Sequence, residues 1–341
     1  MILTFALFFC TIEQGDMMKK KVVIIGIIIL LVLAGVLYFR ETTAWKEKPL
    51  FAMDTYCTLK IKGSDETVEK LVKCIEKADA DFDAYDEKSK VYALNQSGET
   101  TDEELVSLSE LLLAYSEKTD GAFDFSMKKL SDVWGFETDV PKVPQADEID
   151  FSAFGYDKIS LQNGKVKLSG VEVDFGGVAK GYVTDKLVEI LEQDGVKEAL
   201  LDLGGNIYAK GTHRIGIKNP KEGENLACSV EVTDKAVITS GVYQRYFEDE
   251  KGNKWHHILD PQTGYPADSG ILSVTVIGDK GVVCDVLSTA FLVMGKEKAL
   301  KAYKAFDVEL VIITENEVYY TEGIAPKFKK GDASFKFKTT F

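Results

Sequence analysis

The chain has 341 residues, 45% of them apolar, and its 55 acidic against 41 basic residues leave a net charge of −14. Length and apolar content together are those of a globular protein with its own core, which excludes a disordered chain. The acidic balance excludes a nucleic-acid binder, whose phosphate contacts need a basic face, and an anionic ligand here needs a cation or a local positive loop.

Residues 1–21 form a basic tail ending in Lys19, Lys20 and Lys21, with residues 1–16 ahead of a second candidate start at Met17 or Met18. Residues 22–39 (VVIIGIIILLVLAGVLYF) are 18 in a row without a charge, closed by Arg40. At about 1.5 Å per residue they make roughly 27 Å of helix, near the thickness of a bilayer's hydrocarbon. No polar face interrupts the run, so a membrane anchor or signal segment is expected rather than a buried helix. Arg40, Lys46 and Lys48 balance the lysines before the span, so charge counting does not orient it. A basic tail ahead of an apolar core has the form of an export signal, which places the remainder outside the cytoplasm, at the cell membrane.

Residues 40–50 read as a polar linker and 51–341 as one domain. Residues 53–61 (MDTYCTLKI) alternate as a strand. Val68, Leu71, Val72 and Ile75 recur at helical spacing. A second helix is expected from Thr101, with Glu104 completing a capping box and Leu105, Leu108, Leu112 and Tyr115 on one face. Residues 135–165 are mostly loop, with short strands within 158–168 and at 171–173. A helix follows with Val183, Leu187, Ile190 and Leu191 aligned, stopped by Gly195. Short strands are expected at 200–203, 207–209, 236–239 and 272–277, then a helix over 282–294 ended by Gly295. The tail forms a hairpin turning at Glu315-Asn316. Strands and helices mix without βα regularity, so the class is α+β. Cys57, Cys74, Cys228 and Cys284 show no CxxC pair and no metal-ligand spacing, and read as small buried hydrophobes.

Three segments are chemically specific. In VDFGGVAKGY, Asp174 at a strand end, two glycines and a helix start with Lys180 make an anion-binding arrangement; without a GxGxxG or P-loop it supports no nucleotide motif, and a plain tight turn is the alternative. In VVCDVLSTAFLVMG, Asp285 and Thr289 are four apart on one face of an apolar helix, with Ser288 between. A carboxylate there is costly unless paired or metal-bound, and carboxylate plus hydroxyl suits a hard cation such as Mg²⁺ rather than zinc; a hydrogen-bonded structural Asp is the alternative. In HHILDPQTGYP, two of the three histidines stand ahead of an Asp-Pro turn. His257, at the end of a strand, is a ready general base, unless it is simply bonded within the turn.

These segments, in this order, resemble the ApbE family of FAD:protein FMN transferases. The resemblance covers roughly residues 50–325. It adds Met53-Asp54-Thr55, Tyr85 with Ser89 and Asn95, Trp134-Gly135-Phe136, LLDLGGN (200–206) and ITSGVYQRYF (238–247).

The resemblance implies an ApbE-like fold of mixed sheets with flanking helices, and Mg²⁺-dependent transfer of FMN from FAD to a threonine of an acceptor flavoprotein, releasing AMP. It implies metal ligands at Asp285, Thr289 and the main-chain carbonyl of Gly177. It implies FAD contacts at Met53, Tyr85, Trp134, Gly135, Phe136, Asp174, Lys180 and Ile258, with Tyr85 and Trp134 offering aromatic surface. His257 matches the base and His256 a packing partner, and the rate is expected to fall near pH 6–7 for an ordinary imidazole. Hydrolysis of FAD to AMP and FMN requires the same base and metal and stays open, as does a non-catalytic flavin-binding protein at the membrane.

Overall fold

Apolar alternation on β-strands and helical stripes between them produce an α+β body, as expected. The computed structural model describes residues 17–138, 140–221 and 225–340, with side chains given for 21–33 and from 43 onward. The chain divides into two compact units, Met1–Trp45 and Lys46–Phe341. The first contains helix α1 (Met17–Thr43), whose apolar side chains over 22–33 are mostly exposed, Leu30 and Leu31 each at 66%. Among the described residues no helix is long and apolar enough to cross a membrane. The expected span of 22–39 is described with side chains only as far as residue 33, so the rest of that expectation lies outside the described residues.

The segment expected as a linker at 40–50 instead ends α1 and begins strand β1 (Trp45–Ala52), which pairs with β2 (Thr55–Lys62) at one edge of the large sheet. An edge strand with most side chains exposed lacks the apolar alternation that marks a strand in sequence. Met53 and Asp54, expected inside a strand, are the two-residue turn of this hairpin, both with φ near +55° (54° and 56°). Such primed turns match the strand twist but strain a residue with a Cβ.

Helices α2 (Asp65–Phe82), α3 (Lys90–Ser97), α4 (Glu103–Lys118) and α5 (Lys128–Trp134) follow, with β3 (Glu99–Thr100) after α3. Asp102, not Thr101, caps α4 by accepting from the N–H groups of Glu104 and Leu105. Strands β4 (Ile159–Gln162) and β5 (Lys165–Leu168) complete a three-stranded sheet with β3, whereas the strand expected at 171–173 is a single bridge at Glu172. Helix α6 (Gly176–Gln193) leads into β6 (Ala199–Leu203), β7 (Asn206–Lys218) and β8 (Leu226–Gly241). The last two are far longer than expected. Their outer halves alternate too, burying Ile215 and Ile217 on β7 and Cys228, Val230 and Val232 on β8.

A small ribbon of β9 (Tyr246–Glu248) and β10 (Lys254–His256) precedes β11 (Ile271–Gly278), α7 (Gly281–Met294) and α8 (Lys296–Ala302). The hairpin of β12 (Glu309–Thr314) and β13 (Glu317–Thr321) turns where expected, and β14 (Phe328–Lys330) and β15 (Lys336–Thr340) close the chain. The ten-stranded sheet runs β1-β2-β6-β7-β8-β11-β12-β13-β15, with β14 on β8.

The two faces of the sheet bury different sets. Ala236, Ile238, Leu310 and Ile312 join the main core with α2, α6 and α7, while Val237, Val311 and Ile313 point to a second core. That is the period-two alternation of a strand applied to a sheet covered on both sides. Within the main core, α6 and α7 cross at glycines: a Cβ on Gly181 would lie 2.5 Å from the Gly281 carbonyl oxygen and 2.6 Å from the Asp285 Cβ. Asp185 fixes the same junction by accepting the N–H groups of Gly281 (2.7 Å) and Val282 (3.1 Å), which caps α7 from α6.

This crossing predicts unequal effects of two neighbouring substitutions. Gly181→Ala overpacks the junction and costs about 1–3 kcal/mol, whereas Gly177→Ala, with nothing within 4 Å of its Cβ, is neutral or stabilising by up to about 1 kcal/mol. Denaturant midpoints measure both; a Gly181→Ala protein as stable as the parent contradicts the packing.

Candidate functional site

Helix α7 is almost wholly apolar and buried, and Asp285 sits in it at 5% exposure. Its Oδ2 accepts the N–H of Gly181 and the side-chain amide of Asn206, both at 2.8 Å. Burial pushes its pKa up to about 6, against the opposing charge of Lys180. Among the described residues both hydrogen bonds fall on Oδ2, which leaves Oδ1 uncommitted.

One turn on, Thr289 Oγ1 lies 3.1 Å from Ser240 Oγ, which is 2.7 Å from Ser288 Oγ. Ser288 donates to the Asp285 carbonyl at 2.9 Å. Each hydroxyl has one proton, so Ser240 donates to Ser288 and Thr289 to Ser240, leaving the lone pairs of Thr289 free to accept. In a regular helix the N–H of Gly181 bonds the carbonyl of Gly177; here Asp285 shares that donor, so Gly177, one turn earlier on the same face, has acceptor capacity to spare. Among the described residues no three His, Cys, Asp or Glu side chains are grouped for a metal. Asp285, Thr289 and the Gly177 carbonyl, the ligands the resemblance implies, are all oxygen donors with one carboxylate among them, a chemistry that fits a hard cation and not zinc.

The adjacent histidines are held in opposite tautomers. His256 Nδ1 accepts the N–H of Ile258 (3.3 Å), so its Nε2–H donates to the Ala267 carbonyl (3.2 Å). His257 Nδ1 lies 3.1 Å from the Arg245 carbonyl oxygen and must donate to it, which leaves Nε2 as a free acceptor. Burial lowers both pKa values, that of His257 to about 4 with Arg245, His256 and Lys180 adding positive charge nearby. The pH 6–7 expected of an ordinary imidazole is thereby displaced downward. Lys180 thus acts electrostatically on Asp285 and His257 alike.

The other expected FAD contacts fall into two groups. Tyr85, 41% exposed, donates its hydroxyl to Asp132 (2.8 Å), and Lys128 both pairs with Asp132 (2.8 Å) and sits 4.4 Å over the Tyr85 ring. Burial, then the bond to Asp132, holds the phenol well above its usual range. Asp174, raised mainly by burial, accepts the N–H of Gly176 at 2.7 Å, and Met53 at the hairpin turn donates its N–H to Asp79 at 2.8 Å. Trp134 and Ile258, in contrast, are interior. Trp134 is fully buried, donates to the Gly264 carbonyl (2.9 Å) and stacks on Phe136 at 5.7 Å. It therefore offers no open ring face, and the half-buried ring of this segment is Phe136, beyond Gly135. Ile258 packs in the main core and accepts the Ala267 N–H through its carbonyl (2.9 Å).

Four contributors escaped the sequence reading: Asn206 and Ser240 on Asp285 and Thr289, Asp132 on Tyr85, and Arg245 on His257. Asn206 and Ser240 stand in the LLDLGGN and ITSGVYQRYF segments, where polar residues at strand ends are indistinguishable from turn residues.

The pattern of the ApbE family matches residues 53–312. The chain is 30% identical over 301 residues to the FAD:protein FMN transferase of Treponema pallidum (strain Nichols), which spans 79% of this chain and 83% of that one. It is 28% identical over 289 residues to the FAD:protein FMN transferase of Escherichia coli (strain K12), covering 79% and 82%. Among solved structures, the ApbE protein of Thermotoga maritima MSB8 is similar with a TM-score of 0.74 at 32% identity, over 85% of this chain and 97% of that one. The apo flavinyl transferase ApbE of Pseudomonas stutzeri shares the fold with a TM-score of 0.71 at 24% identity, over 85% and 95%.

The histidine geometry predicts that nitrogen NMR finds Nδ1–H on His257 and Nε2–H on His256, with the His257 ring neutral at pH 6. A His257 pKa near 4 against an ordinary 6.5 in the unfolded chain means that the unfolded state binds the extra proton between those values. The contribution of His257 to stability is therefore complete above about pH 6.5 and lost as pH falls toward 4. A charged His257 at pH 6, or exchanged tautomers, contradicts the arrangement.

Proposed function

The chain belongs to the ApbE family, and from that premise we infer that it is an FAD:protein FMN transferase using Mg²⁺ and a threonine acceptor. The observation that carries the reading is the buried carboxylate of Asp285, clamped through one oxygen by Gly181 and Asn206, with Thr289 one turn on along the same helix. A buried carboxylate without a counter-charge in contact is costly, and a bound cation removes that cost. Mg²⁺ held by Asp285, Thr289 and the Gly177 carbonyl would neutralise pyrophosphate charge and stabilise the transferring phosphoryl group.

The protein's own groups do the rest. Lys180 at the start of α6 adds positive charge where the pyrophosphate binds, and the helix N-terminus favours the same anion. The threonine Oγ attacks the phosphorus of the FMN half; the new O–P bond forms as the anhydride P–O bond breaks, and AMP leaves with the electron pair. The hydroxyl proton passes to His257 Nε2, which the Arg245 carbonyl keeps unprotonated and outward. A pKa near 4 makes a weak base, and the negative charge of bound FAD raises it toward working pH. Tyr85, pinned by Asp132 and Lys128, presents its open ring to the flavin nucleotide.

The acceptor is a flavoprotein bearing a threonine modification site, and the run at 22–39 anchors or exports the catalytic domain to the extracytoplasmic side of the cell membrane. That location is supported by 18 uncharged residues after a basic tail and by the exposure of the apolar side chains over 22–33.

Asp285→Ala abolishes Mg²⁺-dependent transfer and removes the Mg²⁺-induced rise in melting temperature that wild type shows by mass action. His257→Ala lowers transfer by about 10²–10⁴-fold while FAD still binds. His256→Ala costs far less, because its ring faces Ala267. AMP release and flavin fluorescence of the acceptor follow all three; a crippled His256→Ala beside an active His257→Ala reverses the assignment.

A further inference from the structure

Arg245 meets the site twice. Its main-chain oxygen takes the N–H of His257 at 3.2 Å and lies 3.1 Å from the imidazole Nδ1. Its guanidinium Nη2 donates to the Phe136 carbonyl at 2.6 Å and pairs with Glu137 Oε2 at 2.7 Å. Among the described residues, the Arg245 carbonyl is the imidazole's one hydrogen-bond partner. Residue 245 lies just ahead of β9, and the bond from the His257 N–H to its carbonyl carries the β9–β10 register, in which His256 faces Tyr246, one pair further. The side chain adds a second restraint at this frayed end of the ribbon, tying it to the loop after Trp134.

We propose that Arg245 is a positioning residue: its guanidinium anchors its own carbonyl against Phe136 and Glu137, and that carbonyl holds His257 in the Nδ1–H tautomer with Nε2 toward the substrate. The proposal rests on His257 acting as the base. Nothing else in the pair recommends it as a stabiliser, since the ion pair is substantially exposed, 44% for Arg245 and 30% for Glu137, and exposed pairs contribute little. Variants here should therefore fold. The charged groups facing His257 are Arg245, His256 and Lys180, while the bond to the Arg245 carbonyl favours the protonated ring, so losing that charge and losing that bond move the imidazole in opposite directions.

The test uses full-length protein with FAD, Mg²⁺ and an acceptor. Arg245→Gln is expected to lower kcat by about 10- to 100-fold through misplacement of the base, with KM for FAD near wild type. Arg245→Lys keeps the charge, but a single ammonium recovers only part of kcat, because it lacks the planar fork. Glu137→Gln, which leaves Arg245 intact, lowers kcat in the same direction and stands as the test should Arg245→Gln fail to fold. A raised KM with unchanged kcat overturns the proposal and makes Arg245 a substrate-binding residue. His257→Ala is run alongside. If it is fully active the base assignment falls and the positioning role with it; if it is crippled while Arg245→Gln and Glu137→Gln turn over normally, the positioning role alone falls.

Discussion

The close crossing of α6 on α7 is the constraint on which the site depends. Two glycines, 181 and 281, allow the helices to touch main chain to main chain, and only at that separation does the N–H of Gly181 reach a carboxylate buried in α7. The contact does three things together. It satisfies one oxygen of Asp285, it draws a donor from the Gly177 carbonyl, and it brings Lys180 near enough to act on Asp285. A side chain at either glycine separates all three.

From that crossing the chemistry spreads outward along hydrogen bonds rather than through a shared cluster of ligands. The hydroxyl relay of Thr289, Ser240 and Ser288 ties the face of α7 that carries Thr289 to the end of β8. The same chain then leaves β8, and four residues past Gly241 the Arg245 carbonyl orients His257. Thr289 and His257 are thus attached to the two ends of one short connection. Burial acts oppositely on the two groups, raising Asp285 to about 6 and lowering His257 to about 4. One is thereby made ready for a cation and the other kept as a neutral acceptor.

What sequence shows of this follows from what is local. Asp285 and Thr289 stand out because a carboxylate and a hydroxyl at i, i+4 in an apolar helix have no ordinary reason to be there, and His257 parts from His256 because strand geometry turns adjacent side chains apart. The major helices are legible from their stripes, and the last hairpin from its turn. Whether Trp134 serves the core or a binding surface is not legible in sequence, because a large aromatic suits both; the structure gives it a buried ring and a bond to Gly264. Asn206, 79 residues from Asp285, and Arg245, 109 residues from Phe136, are invisible because their partners are set by the fold. Edge strand β1 is lost for a related reason, since its exposed residues leave no period to detect, whereas the outer halves of β7 and β8 keep a period of two, at Ile215 and Ile217 and at Cys228, Val230 and Val232, that does mark them as strands.

Mass spectrometry of an acceptor flavoprotein incubated with the protein, FAD and Mg²⁺ tests the central claim most directly. The account predicts an acceptor heavier by one FMN phosphoester, located on a threonine, with AMP released in equal amount. An unmodified acceptor beside free FMN and AMP, or FAD recovered intact, contradicts it.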